Sequence, residues 1–349
     1  MFQTTSIGLD VHAKSIHAAI LNTTTGQLTS QRLPDTTDAS VIDFIQTHCN
    51  DPTNVRVVYE ADPAGYYFAR ALAAAKIDCD IIATSKLIRP AGDKITTDKR
   101  DAEFLARVAA VGEYTPVRVP TVEEESARDH VRARDDIRQN LLSAKHRTSK
   151  LLLRQGFVFD GKTTWSRPYW QWLRRIRADG LDGAGPGTLA AFDDGYEAIA
   201  TLDHRRQALD RRITEAAATS TFAPTVARLS CLRGISTLSA YALAVEIGDW
   251  TRFTPRSIGA HLGLTPSEHS SGQSRTQGGI TRTGNTHARR LLIESARHHA
   301  KPYRIGKMLR TQFDAVPTPI AAHAVSSTGF SRGSFFWFPK QPQTQPRAS

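Results

Sequence analysis

Cysteine is scarce in this sequence, and the three present, Cys49, Cys79 and Cys231, are far apart and odd in number. That argues against a disulfide framework and against a thiolate zinc site. Long apolar runs are missing as well: the longest stretch, "LSAYALAVEIG" at 238–248, is too short to span a bilayer. No N-terminal segment joins basic residues to an apolar run, so no secretory signal is expected and the cytoplasm is the expected compartment. Neither an internal repeat nor a low-complexity block is found. Acid is in deficit: 34 Asp and Glu stand against 45 Lys and Arg, a formal net charge of +11 at pH 7. A polyanionic partner, nucleic acid first, follows from that balance. The excess is uneven: residues 1–80 are close to balanced, whereas 126–154 and 252–310 are rich in Arg and Lys.

Hydrophobic residues are present in ordinary amount, 40% of the chain, which rules out wholesale disorder. A length of 349 residues fits two domains joined by a helical region. Residues 5–11, 15–22 and 27–33 alternate as three strands of a meander, with "NTTTGQ" supplying turn chemistry. "TDASVIDFIQTHC" has helical spacing behind an Asp/Thr cap, "VRVVYEA" is a compact strand, "AGYYFARALAAAK" a helix and "CDIIAT" a buried strand. Antiparallel strands followed by alternating helices and strands predict an α/β domain with a mixed sheet. From 121 to 155 the chain has few breakers and many charges, which predicts one long helix. The stretch 156–189 reads as irregular, with Trp165, Trp170 and Trp172 beside several arginines, and helical pattern resumes over 190–219. A second compact region begins near Arg228, and beyond about Val316 the periodicity is lost, as in a frayed tail.

Four carboxylates stand out. Asp10 lies at the inner end of the first strand, in "TSIGLDVHAKSIHAAIL", where a carboxylate is costly unless something cationic answers it. Glu60 ends the fourth strand, and Asp98 and Asp101 sit three apart at the start of a helix, on one face of it. Gathered at one sheet edge, such acids repel each other unless divalent cations neutralise them. Oxygen-rich, flexible donor sets of this kind suit Mg²⁺ or Mn²⁺. Two ions about 4 Å apart would brace the attacking and leaving oxygens of a phosphodiester displacement. Simpler roles exist for each residue: a turn for Asp10, a helix cap for Asp98, the helix dipole for Asp101, a surface pair with lysine for Glu60. Only the order Asp, Glu, Asp-x-x-Asp across a strand–strand–helix frame lifts the combination.

In the second region, "LSCLRGISTLSAYALAVEIGDWTRF" reads as a helix-hairpin-helix turning at Gly234, with Ser236 where a second glycine is usual. Such hairpins offer backbone N–H groups to phosphate; an ordinary helical turn in a core is the alternative. The loop "GLTPSEHSSGQSRTQGGITRTGNTHARRLL" then brings Ser270 and Ser271 before Gly272, followed by Arg275, Arg282, Arg289 and Arg290. A serine hydroxyl attacks phosphorus only when a base or metal activates it, and arginines grip phosphate bidentately. Along the long helix, Arg128, Arg132, Arg134, Arg138, Lys145, Arg147, Lys150 and Arg154 recur, as a nucleic-acid surface or as a solvated coiled-coil face. The tryptophans would stack on unpaired bases or pack in a core or dimer contact.

Taken together, "IGLDVHAKSIHAAIL", "VVYEADPAGYYFARAL" and "TTDKRDAEFLAR" resemble the DEDD domain of the transposases of insertion sequence 110 and its relatives. "LRGISTLSAYALAVEIGDWTRF" and "GLTPSEHSSGQSRTQGGITRTGN" resemble their C-terminal transposase domain. The resemblance implies an α/β ribonuclease-H-like domain over 1–118, similar to Holliday-junction resolvases, and a helical, coiled-coil linker over 119–222. It further implies a mainly α transposase domain with the helix-hairpin-helix-like element over 223–312; residues 313–349 are expected to form a divergent, disordered tail. Asp10, Glu60, Asp98 and Asp101 match the family's acids. The family's DNA-linked serine precedes a glycine in this loop, which selects Ser271, with Ser270 as the fallback. The resemblance also implies recombination of donor and target double-stranded DNA under a structured non-coding guide RNA. It implies a homo-oligomer, dimer or tetramer, in which acids of one subunit meet the serine of another, and no membrane. The end of the chain departs from the family's further helical sequence. Two alternatives compete: a junction-resolving metal nuclease that uses water, and a nucleic-acid-binding protein without catalysis.

Overall fold

The computed structural model describes residues 5–49, 51, 54–60, 65–83, 87, 97–255, 257–268, 271, 276–300, 305–318 and 320. Most of the tail expected to fray lies outside these. The chain divides into two units, residues 1–121 and 122–349.

The first unit is built on a mixed sheet in the order β3-β2-β1-β4-β5-β6. Its strands are β1 (Thr5–His12), β2 (Ser15–Asn22), β3 (Leu28–Arg32), β4 (Val55–Glu60), β5 (Asp78–Ile82) and β6 (Pro116–Val117). β1, β2 and β3 form the expected antiparallel meander, while β4 runs parallel to both β1 and β5. Alternation along each strand sends side chains to opposite faces. Ile7, Leu9, Val11, Val57 and Tyr59 face one way, into a core with Val41, Phe44 and Ile45 of α1 (Asp38–His48) and Phe68 and Leu72 of α2 (Tyr67–Ala74). Each such side chain, fully buried, contributes roughly 1.5–3 kcal/mol. Tyr59 also ties α2 down: its hydroxyl donates to the Gly65 carbonyl at 2.9 Å and accepts from the Ala69 amide at 3.2 Å. The other face is covered by α3 (Asp98–Val111), whose Leu105 and Ala109 pack on Val58 and Ile82, and whose Ala102 and Ala106 pack on Ala19. The result is three layers, helices on both faces of one sheet.

The second unit is mainly helical. α4 (Val122–Arg154) and α6 (Pro186–Thr219) are each about 50 Å long at 1.5 Å per residue. They pair antiparallel: Val131 clusters with Ile213, Leu141 with Ile199, and Leu152 with Phe192. The stretch expected to be irregular contains α5 (Arg167–Asp179). Pro168 in its first turn and buried Tyr169, Leu173 and Ile176 at spacings of four and three make it an amphipathic helix. Trp165, Trp170 and Trp172 are partly buried around it, in a cluster with Phe159, Tyr169 and Tyr196. α7 (Ala223–Ser230) turns through Gly234 into α8 (Thr237–Ile247), whose residues 240–247 are all buried. Gly234 has φ +85°, and a Cβ there would meet the Ser295 carbonyl, so both conformation and space require glycine. Ser236, where a second glycine was looked for, caps α8 by accepting from the Ser239 amide at 3.3 Å. The unit continues with α9 (Ser257–His261), the paired strands β7 (Pro266–Glu268) and β8 (Gln277–Ile280), α10 (Thr286–Ala296) and α11 (Lys307–Asp314). Among the described residues no helix is long and apolar enough to cross a membrane.

Candidate active site

Strand register and one close helix crossing bring Asp10 together with Asp98 and Asp101, and set Glu60 on the neighbouring strand. Leu9 of β1 pairs with Tyr59 of β4, so Asp10 and Glu60, each one residue further on, lie on neighbouring parallel strands, Glu60 as the last residue of β4. Both fall on the face that α3 covers, since Asp10 shares it with Gly8 and Glu60 with Val58. α3 can lie there because Gly8 has no side chain: a Cβ would strike the Ala102 carbonyl, the Ala106 amide and Leu105 Cβ. Thr97 caps the helix by accepting from the Arg100 amide, which sets Asp98 and Asp101 in its first turn. Burial, the largest influence, pushes the Asp10 carboxyl above its ordinary range; the His12 imidazole opposes this, and the charges of Asp101 and Asp98 add to it.

Two histidines that the sequence reading did not single out complete the site. His12 lies two residues past Asp10 on the same face of β1, and its Nε2 stands 3.2 Å from Asp10 Oδ2 and 4.0 Å from Asp98 Oδ1. His17 faces Asp10 across the β1–β2 register, with Nδ1 at 3.4 Å from Asp98 Oδ2. The period-2 spacing of Asp10 and His12 was the available signal. Ligating atoms of Asp10, His12 and Asp98 all lie within 4.8 Å of one another. Hard carboxylate oxygens in mutual repulsion, with one imidazole among them, fit a divalent cation.

In the second unit, the stretch expected to carry the nucleophile includes the paired strands β7 and β8. Ser271 lies exposed between β7 and β8; Ser270, Gly272 and Arg275 lie outside the described residues.

Two family models match the chain. The first, described as "Transposase" and built on the DEDD domain of IS110, covers residues 7–157. The second, "Transposase IS116/IS110/IS902 family", covers residues 226–309. The chain belongs to the IS110 family of DEDD transposases. Among its relatives, the y4qE protein of Sinorhizobium fredii is 32% identical over 268 residues, which are 76% of this chain and 64% of that protein. The transposase for insertion sequence element IS1533 of Leptospira borgpetersenii is 26% identical over 91% of this chain and 92% of its own length. The transposase for element IS1111A of Coxiella burnetii is 25% identical over 69% of this chain and 65% of its own.

The arginines of this IS110-family chain divide into two groups. Several expected to face phosphate make hydrogen bonds within the fold. Arg128 donates to the Val245 carbonyl at 3.1 Å, Arg134 to Asp210 at 2.7 Å, and Arg138 to Asp135 at 2.7 Å. Arg290 donates to Asp135 at 2.6 Å and to Glu294 at 3.1 Å. Arg289 is buried and donates to the carbonyls of Leu262 and Thr283 at 2.9 and 2.7 Å. Arg132 forks onto Glu246 at 3.0 and 3.1 Å, although 56% of its side chain stays exposed. Arg147, Lys150, Arg154 and Arg282 are exposed.

Glu246 is a site the sequence reading missed. Its side chain is fully buried and receives Arg132 of α4, Asn285 at 2.6 Å and His287 at 3.1 Å, the last two at the start of α10. Burial by itself would raise its carboxyl; the hydrogen bonds from His287, Arg132 and Asn285 outweigh that and hold it at about 2. A lone Glu inside an apolar helix pattern was the signal.

Proposed function

We propose that this chain is the transposase of an insertion sequence, recombining donor and target DNA by metal-assisted attack of Ser271 on DNA phosphodiesters. The observation that carries the reading is the convergence of Asp10 of β1 and Asp98 of α3, with Asp101 in the same helical turn and Glu60 on the neighbouring strand. Those four acids hold Mg²⁺ or Mn²⁺. Bound there, a divalent ion supplies Lewis-acid polarisation and neutralises charge at the phosphate. Ser271 Oγ forms a bond to phosphorus as the bond to the 3′ oxygen breaks; the serine proton passes to solvent, and the departing 3′ oxygen takes one up as a hydroxyl. The phosphoserine link keeps the bond energy, so a 3′ hydroxyl attacks it to reseal a strand without ATP. Ser270 stands next to Ser271 and is the alternative nucleophile.

The partners we assign are double-stranded DNA, a structured non-coding guide RNA and further copies of this chain, with acids of one copy meeting the serine of another. Family membership supports this reading, and the net charge of +11 suits polyanionic partners. The exposed Arg147, Lys150, Arg154 and Arg282 are the cations best placed to bind backbone by counterion release. The α7–α8 turn would serve as the helix-hairpin-helix element. The test is incubation of protein, RNA and labelled DNA, followed by denaturing gels. A covalent protein–DNA adduct is expected, lost in the Ser271→Ala, Ser270→Ala double variant and on chelation. An adduct that survives the double variant overturns the nucleophile; metal-dependent free 5′-phosphate ends without adduct point to a junction-resolving nuclease instead.

A further inference from the structure

We infer that His12 is a direct ligand of the divalent ion held by the DEDD acids, and that its imidazole shifts the site's preference from Mg²⁺ toward Mn²⁺. The inference rests on the metal-site reading above and extends it to a residue outside the acid set.

The geometry is that of a coordination shell. An octahedral ion with ligands near 2.1 Å sets adjacent donors about 3 Å apart and opposite donors about 4.2 Å apart. His12 Nε2 stands 3.2 Å from Asp10 Oδ2 and 4.0 Å from Asp98 Oδ1, an adjacent and an opposite spacing. Strand alternation puts His12 and Asp10 on one face of β1, two residues apart, so the imidazole enters the site on the same rigid element as the first carboxylate. Half of the His12 side chain is exposed, which leaves the ion a route in from solvent. His17 plays a different part. Its Nδ1 is buried, makes no hydrogen bond to any described residue, and stands 3.4 Å from Asp98 Oδ2. It therefore stands behind the Asp98 carboxylate rather than in the coordination shell.

Donor chemistry then decides the metal. An all-carboxylate set suits Mg²⁺ and Mn²⁺ alike, whereas a nitrogen donor favours the transition metal over hard, reluctantly dehydrated Mg²⁺. Two carboxylates joined by an imidazole therefore make this site more selective than four acids by themselves.

The experiment uses the full chain with Mn²⁺ as the probe, without nucleic acid, read by pulsed electron paramagnetic resonance. Wild-type protein with bound Mn²⁺ is expected to show coupling to an imidazole ¹⁴N. That coupling is expected to vanish in His12→Ala and to persist in His17→Ala, while Asp10→Asn abolishes the binding itself. In competition, the Mg²⁺ needed to displace half of the Mn²⁺ is expected to fall roughly tenfold in His12→Ala. Mn²⁺ bound without ¹⁴N coupling, or coupling retained in His12→Ala, overturns the ligand assignment and leaves the acid site standing. Mn²⁺ that fails to bind, or that binds equally well in Asp10→Asn, overturns the acid site and this inference with it.

Discussion

Gly8 is the residue on which the site's assembly turns. It lets α3 approach β1 closely enough for Asp98 to reach the end of that strand. Gly8→Ala is expected to destabilise the protein by about 3 kcal/mol through overpacking against backbone that cannot yield. It should also weaken Mn²⁺ binding roughly tenfold, measured by urea unfolding and by calorimetric titration. Glu246 gives a second residue-scale expectation. Its carboxyl lies at about 2 in the folded protein against an ordinary 4.5, so its stabilisation is complete above pH 4.5 and is lost as the pH falls from 4.5 through 2. Glu246→Gln is expected to cost about 3 kcal/mol at pH 7, because Arg132 loses its buried counter-charge and the hydrogen bonds of the site are mismatched. Near pH 2 the variant and the parent should unfold at nearly the same urea concentration.

Among the elements, α4 shows how a run of arginines is shared between folding and binding. Arg134 reaches Asp210 on α6 and Arg138 reaches Asp135, whereas Arg147 is exposed. Arg147→Ala is expected to weaken DNA binding equally across sequences and to lower the salt slope by about one, with no loss of stability. Arg134→Ala should do the reverse, lowering the unfolding midpoint and leaving the salt slope unchanged. The strands of the meander were legible because period-2 alternation is strong where one face meets a core. α5 was not, because Gly and Pro on both sides and three tryptophans masked its Tyr169, Leu173, Ile176 stripe. The β7–β8 ribbon left even less trace. Seven of its residues are Pro, Ser, Glu, Gln, Gly and a single Ile, and nearly all are exposed, so no apolar alternation records it.

For the molecule as a whole, the acids and Ser271 belong to different units, each with its own core. If acids of one copy serve the serine of another, neither an Asp10→Asn chain nor a Ser271→Ala chain is expected to form adduct by itself. Mixing and co-assembling the two is expected to restore adduct on DNA, detectable by gel shift under denaturing conditions. Failure of the mixture while wild type reacts would place acids and serine in the same copy. A net charge of +11 on each copy of such an assembly also makes binding strongly salt-dependent.

The strands of the meander, the helix that opens on Asp98 and Asp101, and the family resemblance were carried by local pattern: alternation, a cap, and four carboxylates in sequence order. These survive in one dimension because each depends on a residue's near neighbours. Which arginines bond within the fold, that His12 and His17 stand against Asp10 and Asp98, and that Glu246 joins α8 to α4 and to the start of α10 were settled only by tertiary packing. Charge and hydrogen-bond partners lie up to 155 positions apart along the chain, as for Asp135 and Arg290, and Coulomb's law acts through space rather than along sequence.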